Sequence, residues 1–152
     1  MKTRTIWGAV ALTMLAINAA AAEGEAAGTI KTSKGEVYIE RAGGRIPGKV
    51  GAAVRVADKV RTGSDGAVGL TLRDNTLLST GPNSLLTLDK FSFDSTTNAG
   101  TLSVGVRKGT LAVATGKIAR QTPESIDFRT ATSVIGVRGT EFVVEAGSGN
   151  EE

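Results

Sequence analysis

The chain has 152 residues, enough for one compact domain and hardly two, and a 40% hydrophobic content places it outside the disordered class. It contains neither Cys nor His, which excludes a disulfide framework, a thiolate metal site and the usual general base. The formal net charge of +3 counts Lys2 and Arg4; without the first 22 residues, 16 basic against 15 acidic side chains leave +1, so bulk charge gives no case for nucleic-acid binding.

Met1 to Ala22 has the three parts of a secretory signal. Lys2 and Arg4 are the positive start, Ile6 to Ile17 is almost wholly apolar, and Ala20-Ala21-Ala22 supplies small residues for cleavage before Glu23. The apolar run is well short of the roughly 20 residues that span a bilayer. The expectation is a periplasmic or secreted product with no retained membrane span. With no Cys there is no lipoprotein anchor.

Residues 23–29 read as a loose leader, 30–146 as the folded domain and 147–152 as a polar tail that frays. Val37 and Ile39 alternate with Glu36, Tyr38 and Glu40, the pattern of a half-buried strand, and Ala42-Gly43-Gly44-Arg45 turns the chain. Val54, Val56 and Val60 share one parity, but Asp58 interrupts them, which predicts a corner. Thr62 to Gly66 is dense in turn residues. Val68, Leu70 and Leu72 make the next strand, Asp74-Asn75 a hairpin turn, Thr76 to Thr80 its return, and Gly81-Pro82-Asn83 another break. Leu86 and Leu88 alternate, then Phe91 and Phe93 do so on the other parity, which places a bulge near Asp89-Lys90. After the turn at Asn98-Ala99-Gly100, Leu102, Val104 and Val106 form a strand, and Lys108-Gly109 leads to Leu111 and Val113. Gly116 to Glu124 reads as a polar connector, and Ile126 and Phe128 open the last region.

That region ends in two short strands with a joint between them. Ile135 and Val137 flank Gly136, whereas Phe142 and Val144 lie on the opposite parity; the swap falls at Arg138-Gly139. Across the chain the pattern is about ten short strands with turn signals every 8–12 residues, which argues all-β. Periodicity leaves sandwich, barrel and solenoid of stacked turns open.

Catalytic equipment is sparse. Ser64, Asp65 and Lys59 lie around a turn, Asp89 and Asp94 flank an aromatic pair, and both sets read as ordinary turn and strand-edge chemistry. Neither an Asp-x-Asx calcium loop nor a phosphate loop ending in Gly-Lys-Ser/Thr is present. No catalytic residue, cofactor or metal is expected. Arg55, Lys59 and Arg61 form a basic stripe that suits either docking of an acidic partner or edge protection by charge. Arg138 suits either a clasp on carbonyls or a carboxylate at the joint, or an exposed ligand contact.

Gly136-Val137-Arg138-Gly139-Thr140-Glu141-Phe142 resembles the closing motif of the FecR domain, a periplasmic module of iron-siderophore signalling regulators. The resemblance runs from about Ile30 to Val144. It takes in Gly35-Glu36-Val37 with Arg41, Pro47, Gly51, Asp58 to Gly63, Asp65-Gly66-Ala67, Asp74-Asn75-Thr76 and Gly81 to Ser84. Ala57 and Asn75 stand where the family usually has Gly, both at turns. The regulators' cytoplasmic segment, membrane helix and further C-terminal region have no counterpart expected here. The resemblance implies a β-solenoid-like or sandwich-like FecR domain, with Gly136, Arg138, Gly139, Thr140 and Phe142 as its structural motif. The function expected is a non-enzymatic, stand-alone envelope module that binds an envelope protein or glycan and no nucleic acid. The other readings are a self-assembling structural protein and a carbohydrate-binding or carboxylate-based envelope enzyme.

Overall fold

The computed structural model describes residues 24–138 and 141–147. Expectations on Met1–Ala22, on Gly139 and Thr140 and on the tail beyond Gly147 fall outside those residues. Among them the chain forms twelve strands: β1 Gly28–Lys34, β2 Val37–Arg41, β3 Gly44–Pro47, β4 Ala53–Val54, β5 Lys59–Thr62, β6 Ala67–Leu72, β7 Leu77–Thr80, β8 Leu85–Phe93, β9 Gly100–Ala114, β10 Ile126–Arg129, β11 Val134–Gly136 and β12 Glu141–Ala146. The all-β expectation holds.

The strands make one sheet that curls over on itself. Its front layer runs β3-β2-β5-β8-β9-β10-β11 and its back layer β4-β1-β6-β7-β9-β12. Strand β9 belongs to both. Its first part pairs with β8 and β10, its last part with β7 and β12. The parity of its buried residues changes between Val106 and Leu111, and Gly109 lies between them with φ +86°. That left-handed backbone lets a single strand leave one layer and enter the other. All ladders are antiparallel except β9–β10. Most of the architecture is therefore a folded-over antiparallel sheet, closer to a sandwich than to stacked parallel turns.

One apolar core lies between the layers. Ile39, Val60, Leu86, Leu88, Leu102, Val104 and Phe128 reach it from the front, and Ile30, Leu70, Leu72, Leu78, Leu111, Val113 and Val144 from the back. The Asp89 bulge is present as a register shift between Leu88 and Lys90. Asn75, Asn83 and Asn98 all take positive φ at their turns, as short side chains that tolerate left-handed backbone do.

Three elements depart from the sequence expectation. The β2–β3 hairpin closes on Ala42-Gly43, both at positive φ, and adds a strand that ends on the edge at Pro47. Ala27 and Gly28, expected in the leader, are buried, and the Ala27 N–H donates to Val54 O at 2.8 Å. The connector after β9 holds a helix, α1 Lys117–Gln121, and a 3-10 turn at Pro123–Ser125. This crossover is what allows β10 to return parallel to β9.

Candidate functional site

Two buried carboxylates hold corners. Asp58, only 2% exposed, receives a two-pronged contact from Arg41: Nε donates to Oδ1 at 2.8 Å and Nη2 to Oδ2 at 2.6 Å. The same guanidinium donates to Ala53 O at 3.0 Å, and the Arg55 N–H donates to Asp58 Oδ2 at 2.8 Å. A planar fork matched to a carboxylate thus fixes the β4–β5 corner. Asp74, wholly buried, accepts from the Thr76 N–H and hydroxyl at 3.1 and 2.7 Å and from the Ile118 N–H at 3.4 Å. It holds its own hairpin turn and the start of α1 together.

Two acids singled out in the sequence, Asp65 and Asp94, also serve the backbone. Asp65 accepts from the Glu36 N–H. Asp94 accepts from the Thr96 and Thr97 N–H groups, which hold its carboxyl below the usual range. Asp127, not singled out in the sequence, is held by side chains instead: its pKa is lowered first by the hydrogen bond from Arg129, and it accepts from the Ser103 hydroxyl at 2.5 Å.

The stripe residues fall on two sides of the corner. Lys59 and Arg61 share the outer face of β5, where Arg61 Nε lies 3.2 Å from Glu40 Oε1. Arg55 precedes the corner and lines a separate groove with Arg41, Arg73, Val56 and Phe91. In the closing motif, Gly136 ends β11. Arg138 is exposed and lines a groove with Pro123, Glu124 and Ile126. Phe142 packs edge-on against Phe128 with ring centroids 5.0 Å apart, which ties β12 across to β10.

The back layer presents an unusual outer face. Thr71, Leu77, Ala114 and Glu141 form one cross-strand row, and Gly69, Ser79, Ala112 and Val143 the next. The residues are small except for Glu141 on β12 and for Leu77 and Val143, which are 47% and 70% exposed. Strand β12 ends this layer. No described strand pairs with its far side, so alternate N–H and C=O groups there have no strand partner among the described residues. Glu141, Val143 and Glu145 point outward, whereas Val144 and Ala146 are buried.

A family model described as FecR protein matches residues 58–151. The chain belongs to the FecR family. The match opens on Asp58, the carboxylate gripped by Arg41, and runs through β12. Strands β1 to β4 lie outside it, yet complete both layers of this FecR domain. The family is one of regulatory, sensor-type domains of the periplasm. No curated protein and no solved structure matches the chain. Among the described residues no helix is long and apolar enough to cross a membrane.

Sequence reasoning missed Arg41 as the fork on Asp58, although Asp58 itself stood out as a break in an apolar face. It also missed the depth of Asp74 and the open side of β12. The Glu-x-Val-x-Glu alternation at Glu141, Val143 and Glu145 was the available signal for the last.

Proposed function

We propose that this FecR-family chain is a non-enzymatic sensing module of the periplasm or of the secreted fraction, and that it works by adding a partner's extended segment to β12. The observation that carries the reading is the β12 edge, unpaired among the described residues, beside an outer face of mostly small and apolar residues. Strand addition draws affinity from main-chain hydrogen bonds and specificity from alternate side chains. Glu141, Val143 and Glu145 face outward in sequence. A segment carrying basic, apolar and basic residues at alternate positions complements them. Self-pairing is disfavoured: an antiparallel copy centred on Val143 sets Glu141 opposite the Glu145 of its mate, and like charges directly opposite are destabilising. The N-terminal signal pattern supports the location.

The test uses two synthetic peptides, one with Lys-x-Val-x-Lys and one with Glu-x-Val-x-Glu alternation, and backbone hydrogen exchange on the protein. The basic peptide is expected to slow exchange of β12 amides, and a Val143→Pro variant to abolish that protection. Equal protection by the acidic peptide, or none by the basic one, overturns the reading.

A further inference from the structure

We propose that the outer face of the front layer carries a site for an acidic saccharide, binding the carboxylate of a uronic-acid unit between Lys90 and Arg107. This site lies on the opposite layer from the face beside β12 and stands or falls independently of strand addition.

The site is built by register. One cross-strand row runs Lys59, Thr87, Gly105, Arg129 through β5, β8, β9 and β10. Two long cations therefore flank two small residues, across three strand spacings or about 14 Å. The bulge in β8 brings Asp89 and Lys90 together at the groove above Gly105, with Ser103, Arg107, Arg129 and Thr130 as the other walls. Gly105 makes the pit. A Cβ there would lie 3.1 Å from Asp89 Oδ2, 3.7 Å from Arg107 Nε and 3.7 Å from Thr87 Cβ.

Not every polar group at the rim is open to a ligand. Ser103 is satisfied by Asp127, and Arg129 closes its Nε and Nη2 on the same carboxylate at 3.1 and 3.3 Å. Lys90 and Arg107 are the cations left to face the pit.

The mixture of charges selects the ligand. Lys90 and Arg107 favour an anion, and the Arg107 guanidinium fork matches a carboxylate in shape. Asp89 repels a second negative charge and accepts a hydroxyl, which favours a hydroxylated monoanion over phosphate. No aromatic ring lines this groove, so a neutral sugar finds no stacking platform and binding depends on the charge.

The experiment titrates the protein with a galacturonic-acid trimer, a neutral galactose trimer, inorganic phosphate and a glutamate-rich peptide at low and moderate salt. The acidic trimer is expected to saturate one site and to weaken as salt rises. Arg107→Ala and Lys90→Ala, both at exposed positions, should each weaken it by about tenfold, and Gly105→Val should abolish it by filling the pit. Asp89→Asn should raise the affinity for phosphate. Absence of saturable binding by the acidic trimer overturns the proposal, as does equal binding of the neutral trimer or of the peptide. Unchanged affinity in Arg107→Ala and Lys90→Ala overturns it even where Gly105→Val fails to fold.

Discussion

Ala57 sits at the β4–β5 corner with φ +73°, in the left-handed region that an alanine Cβ disfavours. The corner holds it there. The Ala57 N–H donates to Leu88 O at 2.8 Å, the Leu88 N–H donates to Asp58 O at 3.1 Å, and the Arg41 fork fixes the Asp58 side chain. Strain at one residue is offset by the hydrogen bonds around it. Ala57→Gly is therefore expected to stabilise the fold by about 1 kcal/mol, relief of the Cβ clash outweighing the extra freedom glycine gives the unfolded chain. Urea denaturation at equilibrium checks it: a midpoint unchanged or lower in the glycine variant refutes the strain. At this scale the sequence was readable where the residue type advertises its backbone. Asn75, Asn83 and Asn98 were placed at turns and adopt positive φ. Ala42 and Ala57 do the same with no such advertisement, and only the family's usual glycine singled out Ala57. Asp58 was visible as a polar break, but its partner lies 17 residues earlier, and no local pattern links the two.

Elements were legible where alternation runs long enough to have a parity. The β8 bulge followed from the change between Leu88 and Phe91. Helix α1 did not, because five residues hold little more than one turn and show no period. Its position is set from outside. Asp74 O accepts from the Lys117 N–H at 2.8 Å, Asp74 Oδ2 accepts from the Ile118 N–H, and the Gly116 N–H donates to the Thr76 hydroxyl at 3.1 Å. A hairpin turn thus caps a helix about 40 residues later in the chain. Asp74→Ala removes the acceptor for three donors in a buried site. The expected loss is roughly 2–3 kcal/mol, the usual cost of orphaned buried groups. Hydrogen exchange locates it: the amides of Lys117–Gln121 and Thr76 should lose protection first. Uniform loss across all strands would mean that Asp74 acts on the whole sheet rather than on this junction.

The molecule as a whole depends on β9, and this is where the sequence left architecture open. A parity change between Val106 and Leu111 with Gly109 between them reads equally well as a turn joining two strands. What makes it a crossing is packing. A Cβ on Gly109 would meet the Ser84 hydroxyl and lie 2.7 Å from Ser84 Cα. Ser84 is itself held from both sides: its N–H donates to Thr62 Oγ1 at 2.9 Å, and its O accepts from the Thr62 N–H at 3.0 Å. Neither strand nor corner has room to yield, so the chain passes between layers without turning back. Because front and back layers share that strand and one core, they should unfold together. Gly109→Ala combines left-handed strain with a backbone clash, and about 3 kcal/mol of destabilisation is expected. The informative measurement follows a front-layer and a back-layer probe in one denaturant titration, the methyl resonances of Ile39 and Ile30. In both the parent and the Gly109→Ala protein the two curves should coincide, the variant's shifted to lower denaturant. If the Ile39 and Ile30 transitions separate in the variant, β9 is a hinge between two independently stable layers, not the strand that makes them one cooperative unit.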